Sequence, residues 1–375
     1  MIYLDNAATT KPVEQCVKNA ERYLLREYYN PSALYAEGYN LNLELKEARR
    51  KILSFIADEN NFSLNFTSSG TEADNQAVLC GGKRGNIVTT LGEHSAVYSA
   101  AEELKQRGTE VRFANLNSDG SVNTKHLLSL IDEKTSLVSI IHVNNETGAI
   151  NDIFKIAEEV KIKNKYALFH SDGVQAFGKF SFKLTKNIDL YSVSAHKIGG
   201  VKGCGALIRR KNLVIKPFIF GGGQENGFRS GTENVFAIKC FEMAAEIAFE
   251  DINVSREKVK KLNVAMRSLL DNEVFRILSY DDASPYILAV SAAGLRGETV
   301  LHEADDNGLI IGTGSACSSN AKKRFSRVIL ACGADKQTAD GVLRLSFSSE
   351  NTIDEVKTAA EILNKIVKNR LNIMA

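Results

Sequence analysis

Lys197 sits among small residues and just before two glycines, in the stretch YSVSAHKIGG (191–200). A surface lysine needs no such company; a lysine that must reach a bound partner does. Burial among small residues lowers an amine's pKa and leaves it nucleophilic. Asp172 closes the apolar run KYALFHSD (165–172), and Gln175 follows in HSDGVQAFGK (170–179). A carboxylate at the end of a buried strand is costly unless something pairs with it. Lys197 lies 25 residues beyond Asp172 (197 − 172), which is room for one further strand, so the two can face one another across neighbouring strand ends. A carboxylate for a protonated ring nitrogen and a lysine for an aldehyde are what a protein contributes to pyridoxal phosphate chemistry. Anchoring a flat aldehyde cofactor is the best explanation of Lys197.

Three further stretches fall where strands should end. SSGTEADN (68–75) puts Ser69, Gly70 and Thr71 at a helix start, where backbone N–H groups cradle phosphate; taken alone, it is an ordinary capping turn. His94 in GEHSAV (92–97) opens a helix and offers a flat face for stacking, although a lone histidine is more often structural. Asn145 in HVNNETG (142–148) offers an amide in a sequence that also suits a plain turn, as Asp172 also suits a helix cap. Cys317 stands apart in GTGSACSS (312–319), among residues that neither pack a core nor hold a helix, so a mobile loop is expected there. Lys322, Lys323 and Arg324 follow it and would favour a thiolate.

These residues need elements that bring them together. Residues 86–90, 111–115, 136–143, 165–172, 188–195 and 204–210 read as short buried strands, and 95–107, 124–131 and 153–164 as helices between them. Such alternation implies an α/β fold with a mainly parallel sheet covered on both faces. The C-terminal strand ends then share one edge, where ligands bind. From residue 234 the pattern becomes one very long helix, or two joined at a kink. Strands at 286–294 and 342–349, with helices at 297–307, 326–332 and 353–369, make a smaller α+β unit.

Composition narrows the class. The 47 basic and 45 acidic residues leave a net charge of +2, no footprint for nucleic acid or an anionic membrane. No apolar run approaches a membrane span, and MIYLDNAATT does not read as a signal peptide. The six cysteines form no C-x-x-C pair, so no metal site is expected, and a reducing, cytoplasmic setting fits best.

Nine segments in series carry a resemblance: YLDNAATT (3–10), NPSALYAEG (30–38), FTSSGTEADN (66–75), GEHSAV, NNETG, SDGVQAFGK, SVSAHKIGGVKGCG, GGGQENGFRSGTEN (221–234) and GTGSACSS. Together they resemble a cysteine desulfurase of the NifS/IscS type, in the class V aminotransferase group of fold-type I pyridoxal phosphate enzymes. The resemblance implies an aspartate-aminotransferase-like fold. Its large domain, residues 15–255, would hold a mainly parallel seven-stranded sheet. Its small α+β domain, residues 1–14 and 256–375, would carry a catalytic loop at about 312–325. By the same resemblance, Lys197, Cys317 and His94 are catalytic, with Lys197 the Schiff-base lysine and His94 stacked on the ring of pyridoxal 5'-phosphate. Asp172 would pair with the ring nitrogen and Gln175 with the ring hydroxyl oxygen. Gly70, Thr71, Ser194 and His196 would hold the phosphate, and Thr232 would reach the cofactor of a second subunit in a homodimer. Asn145 and Arg344 would hold the carboxylate of L-cysteine. The products would be L-alanine and a persulfide on Cys317, whose sulfur goes to an acceptor protein, an iron–sulfur scaffold or a tRNA thiolation enzyme. The alternative is a selenocysteine lyase or another pyridoxal phosphate enzyme of the same fold. Gly173 departs from the alanine common in the family, beside the ring-binding residues.

Overall fold

The computed structural model describes residues 1–82, 85–292, 294–314 and 325–374. The strands, in chain order, are β1 (Ile2–Tyr3), β2 (Phe62–Thr67), β3 (Asn86–Thr90), β4 (Val111–Ala114), β5 (Thr135–Ser139), β6 (Leu168–Asp172), β7 (Leu190–Ser194), β8 (Gly205–Arg210), β9 (Phe275–Ile277), β10 (Ile287–Ala292), β11 (Leu309–Ile310) and β12 (Val342–Ser346). Seven of them form one sheet in the order β2-β8-β7-β6-β5-β3-β4. Strands β4, β3, β5, β6 and β7 are mutually parallel. β8 runs antiparallel to both β7 and β2, so β2 again points the same way as the parallel set. This is the expected α/β, fold-type I arrangement. Its strands read as continuous apolar runs because helices cover both faces; every residue of β3 and β7 is buried.

Local details differ from the sequence pattern. The strand expected at 136–143 is assigned only to Ser139, yet Ile140 and His142 still donate backbone N–H groups to the carbonyls of His170 and Asp172. The extended chain therefore runs on to the sheet edge. The long helical stretch is two helices, Val235–Glu250 and Ile252–Leu269, broken at Asp251. A helix at Ala36–Ser54 is not among the expected elements; it buries Leu41, Leu45, Ala48 and Ile52 on one face.

The second unit is an antiparallel sheet, β12-β10-β9, together with the helix Ile353–Met374. Its apolar core draws on Leu4, Ala7 and residues between Val259 and Val367, whereas the main core of the large sheet runs from Ala20 to Ala245. We propose on this basis the two-domain division at residues 14/15 and 255/256. The N-terminal segment links the two. The Ala7 N–H donates to Ser346 Oγ of β12 at 2.8 Å, and the Thr10 hydroxyl donates to the carbonyl of His196 at 2.9 Å. Among the described residues, no helix is long and apolar enough to cross a membrane.

Candidate active site

The parallel strands end on one edge, and the chain leaving β2, β3, β5, β6 and β7 supplies part of a cavity of about 250 Å³. After β2, Ser69 caps the helix Gly70–Gly81 by accepting from the Glu72 N–H. This turn packs unusually close to its neighbours. A Cβ on Gly205, at the start of β8, would lie 2.5 Å from the Ser69 carbonyl carbon, and one on Gly70 would lie 2.7 Å from Val174. The Ser194 hydroxyl, at the end of β7, is buried beside Gly70 with no hydrogen-bond partner among the described residues. Helix-start N–H groups and an unsatisfied hydroxyl at one point make a seat for an anion.

Lys197 follows one short turn after β7. Its Nζ donates to the carbonyls of Ala7 and Ala8, at 2.5 and 2.7 Å. Asp172 ends β6 and pairs across the ladder with Ser192. No helix begins there; Oδ1 accepts from the Val174 N–H at 2.9 Å. Burial pushes its carboxyl up to about 6, against the Val174 donor and the Lys197 cation, which hold it down. His94 caps the helix Ser95–Gln106, its Nδ1 accepting from the Ala96 N–H at 3.2 Å, which leaves the ring proton on Nε2. Burial, then the Lys197 cation, drops its pKa to about 4, so the imidazole is neutral. Gln175 has its amide oriented from both ends: Nε2 donates to the Ala7 carbonyl at 2.8 Å, and Oε1 accepts from Lys179 at 3.0 Å.

The far wall comes from the small sheet. Arg344 of β12 is 2% exposed. Its guanidinium pairs with Asp5 at 2.8 Å and donates to the Asn145 carbonyl at 3.0 Å, while Nε has no partner among the described residues. The segment that holds Cys317 is rooted beside these groups. Gly312 exchanges backbone hydrogen bonds with Arg344. On the other flank, the Ser326 hydroxyl donates to half-buried Glu146, and Arg327 donates to the carbonyls of Leu91 and Glu93, just before His94.

This geometry is shared with known proteins. A model of the class-V aminotransferase family matches residues 2–358. The chain belongs to that family. Within it, the chain is 36% identical over 380 residues to "Cysteine desulfurase IscS" of Clostridium botulinum, covering 98% of this chain and 95% of the relative. Among solved structures, it superposes on a "NIFS-LIKE PROTEIN" with a TM-score of 0.91, at 33% identity, over 98% of this chain and 99% of that one. It also superposes on "SspA in complex with cysteine", with a TM-score of 0.81 at 26% identity, over 94% and 100%. The chain is thus a class-V aminotransferase of the cysteine desulfurase branch, and such proteins are pyridoxal phosphate enzymes.

Ten of the residues singled out in this class-V aminotransferase from its sequence meet in the one cavity. Gly70, Thr71, His94, Asn145, Asp172 and Gln175 line it together with Ser194, His196, Lys197 and Arg344. Thr232 does not join them; it lines a separate cavity of about 190 Å³ with Ser68 and Arg229. Cys317 lies outside the described residues. The sequence reading missed Asp74, Ala7 and Ala8, which also line the cavity. Asp74 lies one helical turn beyond Gly70 on the face that carries Ala73 and Ala77, and a carboxylate on a small apolar face was the available signal. The departure at Gly173 has a structural answer. A Cβ there would lie 1.9 Å from Cζ of Tyr191, whose ring fills the space and whose hydroxyl bonds His142 Nδ1 at 2.8 Å.

Proposed function

We propose that this chain binds pyridoxal 5'-phosphate in the Lys197 cavity and, as a cysteine desulfurase, converts L-cysteine to L-alanine while moving the sulfur to Cys317. One observation carries the reading. The cavity offers unsatisfied donors at two separate points, the Ser194 hydroxyl with the helix start at one and Arg344 Nε at the other. Those are the needs of a phosphate and of an amino-acid carboxylate, with an amine, a carboxylate and a neutral imidazole between them. The residues present fit the cofactor on those grounds.

When bound, the cofactor supplies an electron sink for charge developing at the substrate's α-carbon. The protein's own groups do the rest. Gly70, Thr71, Ser194 and His196 would hold the phosphate. Asp172 would keep the ring nitrogen protonated, and neutral His94 would stack on the ring. Gln175, its amide oriented by Lys179 and Ala7, would donate to the ring hydroxyl oxygen. Arg344 and Asn145 fix the substrate carboxylate, which leaves the α-proton to Lys197 Nζ. The Cys317 thiolate attacks the substrate sulfur, so the carbon–sulfur bond breaks as a sulfur–sulfur bond forms. The carbon keeps the electron pair and takes up a proton, giving alanine.

The placement of Thr232 in a cavity of its own supports a homodimer in which this threonine serves the neighbouring subunit's cofactor. Leu24, Leu25, Tyr28, Leu34, Tyr35 and Tyr39 are exposed apolar side chains that such an interface would cover. The persulfide would pass to an iron–sulfur scaffold or a tRNA thiolation enzyme. Cys16, Cys204, Cys240 and Cys332 are free thiols, which supports a reducing, cytoplasmic setting. The test is to incubate the protein, loaded with pyridoxal phosphate, with L-cysteine and to measure alanine and protein-bound sulfur by mass spectrometry. Stoichiometric persulfide on the peptide containing Cys317 is expected. Alanine without persulfide on that peptide would overturn the sulfur-transfer role, and persistence of normal turnover in Cys317→Ala would do the same.

A further inference from the structure

Beneath the residues that the reaction uses lies a carboxyl group with no assigned part. Asp74 is 1% exposed, lines the cavity, and its Oδ1 has no hydrogen-bond partner among the described residues. Its carboxyl oxygen, one of the Asp172 carboxyl oxygens and a ring nitrogen of His94 all lie within 4.8 Å of one another. The groups facing it from every side offer no cation. His170 of β6 approaches with Nε2 at 3.6 Å, but that ring is fully buried between the Ser139 and Ser192 hydroxyls, at 2.8 and 3.0 Å. Burial pushes the His170 pKa down to about 3, so the ring stays neutral. His94 is neutral as well, and Glu93, also buried, adds a further carboxyl nearby.

Two buried carboxylates this close cannot both be charged. One must hold a proton, and the surroundings decide which. Asp172 has the Val174 N–H as donor and the Lys197 cation nearby. Among the described residues Asp74 has the Ser192 hydroxyl and no cation, and burial together with the Asp172 charge drives its pKa well above the usual carboxylate range.

We propose that Asp74 is a positioning residue that stays a neutral carboxylic acid, so that the Asp74–Asp172 pair carries one negative charge, on Asp172. The proton is taken from solvent as the protein folds. This keeps the charge below the ring matched to one ring-nitrogen proton, and it gives Asp172 a neutral neighbour instead of a repelling one. The inference rests on the reading of Asp172 as the partner of the ring nitrogen, and its test is separable from that reading.

The first measurement is infrared spectroscopy of the cofactor-free protein near neutral pH. A carbonyl stretch of a protonated carboxylic acid is expected. It should move on labelling with 13C-aspartate in the otherwise unchanged protein and vanish in Asp74→Asn. A band from protonated Glu93 would not respond to that label, so the two are told apart. Absence of any label-sensitive band, or its survival in Asp74→Asn, overturns the proposal whether or not the protein binds cofactor. The second measurement is a pH titration of the visible absorption of the loaded enzyme. Asparagine preserves shape and neutrality, so Asp74→Asn should leave the midpoint nearly where it was, whereas Asp172→Asn should move it by about one unit or more. A comparable shift in Asp74→Asn would mean that a charge had been removed, and would equally sink the idea. If Asp172→Asn shifts nothing, it is the reading of Asp172 that fails.

Discussion

The two ends of the cavity are built by different means. The end proposed for the phosphate is backbone: a helix start, Gly70, and Gly205 pressed against the Ser69 carbonyl carbon. It depends on shape and on the absence of side chains. The end proposed for the ring nitrogen is made of buried carboxyl groups, with Asp172, Asp74 and Glu93 all pushed toward their protonated forms by burial. It depends on what each carboxyl is allowed to face. The first kind of site tolerates a change of pH but little added volume; the second tolerates isosteric change but little change of charge.

That contrast can be broken or sharpened by measurement, beginning with the largest effect. Lys197→Ala should lower turnover of L-cysteine about a thousandfold or more, as expected for loss of the group that moves the proton, and should abolish the visible band of the bound cofactor. A normal spectrum would remove Lys197 from its role. Arg344→Lys replaces a fork with a point charge, and kcat/KM for L-cysteine should fall about 10- to 100-fold, mainly through KM. An unchanged KM would mean that the substrate carboxylate is held elsewhere. Gly205→Ala should lower stability by about 1–3 kcal/mol, read from denaturant unfolding, because the methyl meets backbone that has no room to yield. Cofactor affinity should fall with it.

Gly173→Ala should cost a similar amount, about 1–3 kcal/mol, through collision with Tyr191. Here the partner is a side chain, so Tyr191→Leu in the same protein should recover most of the loss, a non-additivity that a double-mutant cycle reads directly. Additive losses would show that the two residues do not share the space.

The smallest effect concerns Glu93. Burial raises its folded pKa to about 8, from an ordinary glutamate value of 4.5. Between those values the folded state keeps a proton that the unfolded state has lost, so this group lowers stability as pH rises through the window. Glu93→Gln removes that loss while still accepting from Thr90 and the Ile141 N–H. The cofactor-free variant should gain in melting temperature relative to the parent between pH 5 and pH 8. A constant difference across that range would show that Glu93 ionises normally.

The same contrast explains what the sequence disclosed. Glycines, a lone lysine and a strand-end aspartate leave local marks, so Gly70, Lys197 and Asp172 were legible, as was the strand–helix alternation that brings them to one edge. Asp74 left a fainter mark, a carboxylate on a small apolar helix face; the packing of its helix against His170 and Ser192 is what shows it to be buried. Ala7 and Ala8 act through their carbonyls, which no side-chain pattern records. The helix Ala36–Ser54 is so rich in charge that its apolar face is thin. The break at Asp251 is a matter of one residue's backbone, which composition does not dictate.

The Tyr191–Gly173 contact has a consequence for how this chain can change over generations. A tyrosine at position 191 is accommodated only where position 173 carries no methyl, because ring and Cβ would occupy the same space. A tyrosine at 191 therefore needs glycine at 173, and an alanine at 173 needs a smaller residue at 191. Once the ring is in place and its hydroxyl is tied to His142, a return to alanine at 173 is blocked until the tyrosine is lost. The pair works as a latch: two positions that can change only together, directly behind Asp172.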